Sequence, residues 1–248
     1  MKKVLIMTAL TVLAASCQRL EMSKPLQYGS LSVDMDAEVK VEAVTKAAAT
    51  DLNNYTVTVA GNAEGLPKSC LYSAFQPLTL PLGTYTVSAE NCTSTDAETE
   101  TGNGCKRLFG STEVTISESN LTPTAKFTCS VANALVTVVF DASATQHITN
   151  LKVELTGGDS NRTVSVNASN TEVWFNPSTV SWKITGKITS INKNVEMTGS
   201  KPLVAKNHLK IVVSVNLENG QISAEPKINL DTVLDEPEQK DAVFNPYN

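Results

Sequence analysis

The chain has 248 residues, a net charge of −5 and a pI near 5.2, and 41% of its residues are hydrophobic while 18% are charged. This composition is too apolar for a disordered chain, and the acidic balance excludes the basic surface with which proteins bind nucleic acids. There are 29 Thr and 26 Val, which favour strands because β-branched side chains pack well on a pleated surface. We therefore expect an all-β fold.

Residues 1–16 have the pattern of a secretory signal. Two Lys precede an apolar run that extends to Ser16, and its length of about 13 residues is short of the roughly 20 that a membrane-spanning helix needs. Small residues directly before Cys17 resemble the lipobox of bacterial lipoproteins. The resemblance implies cleavage before Cys17, a diacylglycerol on its sulfur and a fatty acid such as palmitate on its new amine.

Residues 17–27 are expected to form a tether, because they are polar, lack periodicity and contain Pro25. Acidic residues just after the lipidated Cys often accompany lipoproteins sent to the cell exterior in Bacteroidetes. Here Glu21 is the one acidic residue, and Arg19 lies close to it. The sequence therefore allows an anchor in either the inner or the outer leaflet of the outer membrane.

Residues 28–129 are predicted to form one β-sandwich domain. Short runs alternate apolar and polar side chains and are separated by turn residues, which is typical of half-buried strands. The runs are 31–35, 55–59, 78–82, 85–89, 114–116 and 125–129. The polar residues 93–104 between them are expected to form a flexible loop at a domain tip.

Residues 130–230 are predicted to form a second sandwich, with alternating runs at 134–140, 151–155, 163–166, 180–184, 195–197, 209–215 and 221–224. Asn219-Gly220 predicts a two-residue hairpin. No Gly-, Pro- or Ser-rich linker separates the two domains, so we expect a tight junction at 130–133 and a rigid pair. The acidic residues 231–248 are either a solvated tail or an added edge strand.

The segment Pro77–Ala89 resembles the Leu-Pro, Gly-Thr-Tyr hairpin of transthyretin-like β-sandwich modules. Together with the lipobox, the tether and the order of the strand runs, it is similar to a Bacteroidetes outer-membrane lipoprotein family of unknown function with fimbrillin-like, type V pilin-related architecture. The resemblance implies two tandem Greek-key or transthyretin-like sandwiches. It also implies a lipid-anchored protein of the outer membrane that is exposed at the cell surface.

Pilins of this type are trimmed after a basic residue and polymerise by strand exchange. Lys46 stands where the trimming would fall, although Arg is the usual residue there, and 39–44 is an alternating segment suited to donation. We expect a tethered structural or adhesion module, an accessory or anchor of such a pilus. Its partners would be pilin subunits or ligands on host or bacterial surfaces. The alternative is a glycan-binding lipoprotein of a polysaccharide uptake system.

Four cysteines remain after Cys17, and three disulfide pairings are open to them. Cys92 and Cys105 flank the polar loop and are the first predicted pair in an exported protein. A disulfide that closes a loop of about 15 residues stabilises the fold by roughly 3 kcal/mol. Cys70 and Cys129 would form the second pair, and the alternative for Cys129 is a buried thiol in a strand.

We expect no enzymatic activity, cofactor or metal. The sequence contains neither GxSxG nor CxxC, and His147 and His208 are far apart in the chain. Trp182 is in phase with Val180 and Ile184, so we expect it in the core rather than on a sugar-stacking platform, while Trp174 is open to either role.

One modification is predicted in the tail. The triplet Asp231-Thr-Val matches the short pattern of O-glycosylation in Bacteroides envelope proteins, which makes Thr232 the candidate acceptor.

Overall fold

The computed structural model describes residues 26–37, 51–99 and 102–215, and the short strands 217–218, 221–222, 228–231 and 242–244. The predicted all-β class is confirmed. Both α-helices in this part of the chain have six residues, α1 (Ser94–Thr99) and α2 (Ala142–His147), and two 3-10 turns lie at Leu52–Asn54 and Tyr72–Ala74. Among the described residues no helix has the length and apolarity needed to cross a membrane.

Seven strands form the first half: β1 (Tyr28–Ala37), β2 (Thr56–Ala60), β3 (Lys68–Leu71), β4 (Leu78–Pro81), β5 (Gly83–Glu90), β6 (Leu108–Ile116) and β7 (Thr124–Val131). Their spatial order is β3-β2-β5-β6-β7-β1-β4. β1 pairs in parallel with β7 and antiparallel with β4, and the remaining neighbours are antiparallel.

The first hydrophobic core lies inside this folded sheet. Leu31 of β1, Val57 of β2 and Leu80 of β4 belong to one cluster although their strands are spread across the sheet, so the sheet must wrap around a single core. The predicted period of two is visible in β2, where Val57 and Val59 are fully buried between more exposed Thr residues. Alternating side chains therefore divide each strand between core and solvent.

The predicted hairpin at Pro77–Ala89 is wrong. β4 and β5 follow one another in the chain, but β4 pairs with β1, whereas β5 pairs with β2 and β6. Residues 81–83 therefore carry the chain from one edge of the sheet to its middle. The Tyr85 hydroxyl donates a 2.7 Å hydrogen bond back to the carbonyl of Pro81, which fixes this crossing.

Among the described residues, nine strands of the second half form two sheets: β8 (Ala134–Phe140), β9 (Ile148–Gly157), β10 (Arg162–Val166), β11 (Thr171–Phe175), β12 (Ser178–Ile188), β13 (Lys193–Leu203), β14 (His208–Val213), β17 (Ile228–Asp231) and β18 (Ala242–Phe244). One sheet has the order β10-β9-β12-β13 and the other β11-β8-β14-β17-β18. A single hydrophobic cluster takes residues from both sheets, so they pack face to face as a sandwich. Two short strands, β15 (Leu217–Glu218) and β16 (Gln221–Ile222), form a separate sheet.

Two predictions about the C-terminal region can be compared with the structure. Leu217–Glu218 (β15) and Gln221–Ile222 (β16) pair antiparallel, which confirms the hairpin predicted at Asn219-Gly220. Of the two alternatives for residues 231–248, the structure has an edge strand, because β18 pairs with β17.

Cys129 and Tyr55 place polar atoms in the first core. Cys129 is fully buried in β7, and its thiol donates to the carbonyl of Ala89 at 3.5 Å. Burial raises the pKa of this thiol from its ordinary value of 9.0 to about 11. The burial of Cys129 in a strand is compatible with the buried-thiol alternative, and its pairing with Cys70 of β3 stays a prediction.

The two buried tyrosines allow a matched test of hydrogen bonding. Tyr85→Phe removes a bond and strands the Pro81 carbonyl, so we expect the free energy of unfolding to fall by about 1 kcal/mol. The Tyr55 hydroxyl is buried with no partner among the described groups, so Tyr55→Phe should leave that free energy unchanged or raise it. Urea denaturation of both variants measures the difference, and equal losses would contradict the assignment.

Stability should also fall with rising pH because of Cys129. Between pH 9 and 11 the unfolded chain releases a thiol proton that the folded chain retains, so the free energy of unfolding decreases as pH rises. In Cys129→Ala the free energy of unfolding should decrease less steeply with pH, by up to about 1.4 kcal/mol per pH unit. Burial also raises the pKa of Tyr55, from 10.0 to about 12, so this tyrosine lowers the stability mainly above pH 10. The effect of Cys129 is therefore best measured between pH 9 and 10. Urea titrations at several pH values give the slopes, and identical slopes would refute the claim.

Candidate functional site

The two halves meet at a polar segment that starts after β5 and returns to β6. We call its described residues, 92–99 and 102–105, the bracket. The prediction of a flexible tip loop is wrong for these residues, since they include α1 and bury the side chain of Glu98 to 3% exposure. The apparent loop is a contact between the halves.

The Glu98 carboxylate accepts hydrogen bonds from a turn and a strand end of the second half. Its Oε1 accepts from the backbone N–H groups of Asp159 at 3.0 Å and Asn176 at 2.9 Å, and its Oε2 accepts from the Ser160 hydroxyl at 3.4 Å. Gly158 makes room for it, because a Cβ there would overlap the carboxylate, and its φ of +81° suits glycine. A buried anion is stabilised here by aligned backbone donors.

Arg162 at the start of β10 makes the reciprocal contact. Its Nη1 donates to the carbonyl of Gly102 at 2.8 Å, and its Nη2 donates to the carbonyls of Asn103 at 3.3 Å and Trp174 at 2.5 Å. The guanidinium lies 4.8 Å from the centroid of the Phe175 ring. Burial lowers the pKa of Arg162, and the charge of Glu98 opposes that shift.

Two buried asparagines fasten the remaining backbone. The amide of Asn176 donates to the carbonyl of Ser94 at 3.0 Å and to Asp159 Oδ2 at 2.8 Å. Asn133, in the connection between β7 and β8, donates to the carbonyl of Cys105 at 2.7 Å and accepts from the Arg107 N–H at 3.1 Å. The bracket is therefore bonded both to the second half and to the connection that leads into it.

Cys92 and Cys105 lie at the two ends of the bracket. Their sulfur atoms are 3.2 Å apart, whereas a covalent S–S bond measures about 2.05 Å. The disulfide between them stays a prediction, and the approach of the sulfur atoms supports it.

A groove of about 390 Å³ runs along the bracket, lined by Thr56, Glu90, Asn91, Cys92, Thr93, Asp96 and Thr99. Glu90 is already engaged, because Arg107 donates to its carboxylate at 2.7 Å. The groove is partly open to solvent and its lining residues are mostly polar, whereas small molecules usually bind in enclosed cavities lined by hydrophobic and aromatic side chains.

Three predicted site residues, Cys17, Lys46 and Thr232, lie outside the described residues. His147 ends α2, and His208 Nε2 is 2.8 Å from the Thr137 hydroxyl in the second half. The described part of the chain holds no group of three or more His, Cys, Asp or Glu placed to bind a metal ion.

The two tryptophans differ in burial. Trp182 is in the second core, as predicted, with 7% exposure, and Gly199 lies directly against its ring. Trp174 is half-buried in β11, where its backbone N–H donates to the carbonyl of Asn103.

The sequence does not indicate that Glu98, Arg162 and Asn176 take part in one contact. Nothing in their spacing connects them, since Glu98 lies 61 residues from Asp159 and 78 from Asn176. The available signals were the Gly157-Gly158 and Asn176-Pro177 turns, which expose backbone N–H groups.

Several solved structures are similar to the chain. One is a protein from Bacteroides eggerthii, provisionally named a cell adhesion protein, with 13% identity, coverage of 89% of this chain and 94% of that one, and a TM-score of 0.43. Another is the fimbrial anchor protein Mfa2 from Porphyromonas gingivalis, with 11% identity, coverage of 83% and 98%, and a TM-score of 0.39. These similarities are too low to carry an argument about function.

No curated protein matches the chain. A family model does match, over residues 27–243, which spans both halves of the fold. The expectation of a family of unknown function is thereby confirmed. This chain belongs to the family described as domain of unknown function DUF4493.

Proposed function

We propose that this protein is a non-enzymatic surface lipoprotein, tethered to the outer membrane through Cys17, that serves as an accessory or anchor subunit of a fimbrillin-type pilus. The observation that carries the proposal is the position of β1, the first described strand after the tether. β1 is an integral part of the first core, with Leu31 fully buried and Met35 5% exposed.

β1 is held on both sides. It pairs with β7 from Ser32 to Ala37 and with β4 from Tyr28 to Leu31. A chain anchored at Cys17 thus leads directly into the centre of a folded domain. Pulling on the anchor loads the hydrogen bonds of two neighbouring strands rather than a peripheral tail.

The tether sets how far the first half can lie from the membrane. Ten residues, 18–27, separate Cys17 from β1. Fully extended, they span at most about 35 Å. The domain is therefore kept close to the membrane surface, which suits a base or anchor better than an element at the tip of a long fibre.

Retention of β1 also argues against elongation by this subunit. Polymerisation by strand exchange needs a subunit whose sheet lacks a strand that a neighbour then supplies. Here the chain's own β1 fills the place between β7 and β4. Cleavage after Lys46 would separate β1 and the anchor from the remainder of the protein, so the tethered role requires that this bond stay intact.

We predict lipid attachment at Cys17. Cells grown with a clickable fatty acid should yield labelled wild-type protein, and Cys17→Ala should abolish the label, because the variant lacks the sulfur that takes the diacylglycerol and on which release of the amine for acylation depends. Cys70→Ala is the matched control and should remain labelled. Label that persists in Cys17→Ala would refute the anchor, and submillimolar binding of the purified protein on a glycan array would favour the uptake-system alternative.

We also predict that the mature protein begins at Cys17. Mass spectrometry of the surface protein should find this N-terminus in the wild type and in Lys46→Ala. Lys46→Arg supplies the residue usual at the processing position of the pilins and should create a second N-terminus at Ala47. A wild-type N-terminus at Ala47, together with heat-stable ladders on a gel, would overturn the tethered role and indicate a polymerising pilin.

A further inference from the structure

We infer that Cys92 and Cys105 form a redox-controlled latch, in which their disulfide holds the bracket against the second half and its reduction lets the two halves move apart. The inference uses neither the membrane anchor nor the pilus assignment. It depends on the location of the two cysteines, because they enclose the residues that join the halves.

Among the described residues, the side-chain hydrogen bonds that join the bracket to the second half are made by residues that lie between Cys92 and Cys105 in the chain. Ser94 and Glu98 bond to Asn176 and its neighbourhood, while Gly102 and Asn103 bond to Arg162. In the spatial arrangement, the disulfide would close the base of the segment that carries them. A disulfide there ties the contacts into a single cyclic unit.

Cys105 is also hydrogen-bonded to the connection between β7 and β8. Its backbone N–H donates to the carbonyl of Ala97 in α1 at 2.9 Å, and its carbonyl accepts from the side chain of Asn133 at 2.7 Å. Asn133 lies in the connection between the halves and is fully buried. A change at Cys105 therefore acts on both α1 and the connection.

The chemistry is a two-electron thiol–disulfide exchange. On oxidation the two thiols lose two protons and two electrons, and one S–S bond forms between the Cys92 and Cys105 sulfurs. The electrons pass to a disulfide oxidant such as oxidised glutathione, whose own S–S bond breaks to give two thiols. A reducing dithiol reverses the reaction and is itself oxidised to a disulfide.

Reduction changes the cost of docking. With the disulfide closed, the bracket has few open conformations and Glu98 is already near its partners. With the disulfide open, the segment gains chain entropy whenever it leaves the second half, and water can solvate the released carboxylate. The reduced protein should consequently populate an undocked state in which the amides of Asp159 and Asn176 are exposed to solvent.

Hydrogen exchange of these two amides tests the latch in the mature protein purified in detergent. We expect exchange at Asp159 and Asn176 to be at least tenfold faster after reduction with a dithiol. The amides of Val57 and Val138, in the two cores, should not change. Peptide mapping without reduction should find Cys92 linked to Cys105 in the oxidised sample.

Variants separate the latch from a general loss of stability. In the double variant Cys92→Ser, Cys105→Ser, the two amides should exchange fast with or without the dithiol. In Cys70→Ser they should respond to the dithiol as they do in the wild type. In Glu98→Ala the same amides should exchange fast even in the oxidised protein. In Asp96→Ala, a change on the same helix, they should stay protected when the protein is oxidised. A linked pair whose reduction leaves both amides protected would overturn the latch, and so would the absence of a linked pair in the oxidised protein.

Discussion

The burial of one carboxylate organises the junction on which the two-part architecture depends. Removing Glu98 from water costs several kcal/mol unless its charge is compensated, and a buried anion without partners would be strongly destabilising. Compensation comes from backbone N–H groups of the second half and from the nearby guanidinium of Arg162. Because the donors and the acceptor lie on different halves, these protein donors reach the carboxylate only when the halves are docked, and water must solvate it otherwise.

Such a contact contributes more to the orientation of the two halves than to the strength of their association. An apolar interface tolerates sliding, since hydrophobic attraction has no direction, whereas hydrogen bonds to a carboxylate weaken steeply when distance and angle change. The contact of Glu98 with Asp159 and Asn176 therefore sets the orientation of the second sandwich on the first. The connection at Asn133 limits the separation of the halves, and the bracket limits their rotation.

Local patterns predicted the strands well and their partners poorly. Alternation in β2 and β8 reports which side chains face the core, because burial of Val57 or Val136 follows directly from the two-residue period. Pairing is not encoded locally, so the turn residues Pro81 and Gly83 indicated a hairpin although β4 and β5 join different neighbours. The burial of Glu98 was equally invisible, since it is created by donors far away in the chain. Asp96, on the same helix, has the solvent-facing role that composition predicts for both.

The placement of β1 and of the connection gives the molecule one continuous path for force. A load applied at the start of β1 enters the first core through this strand, where the parallel pairing with β7 leads along the sheet to the connection at Asn133. The parallel pairing of β14 with β8 then distributes the load in the second sandwich, because β8 is the strand that the connection enters. Parallel strands pulled along their length must break many hydrogen bonds together, whereas a peeled hairpin breaks them one at a time. The polar contact made by Glu98 lies beside this covalent path and joins the halves at a second place, so a load that passes through the connection does not have to pass through the bracket.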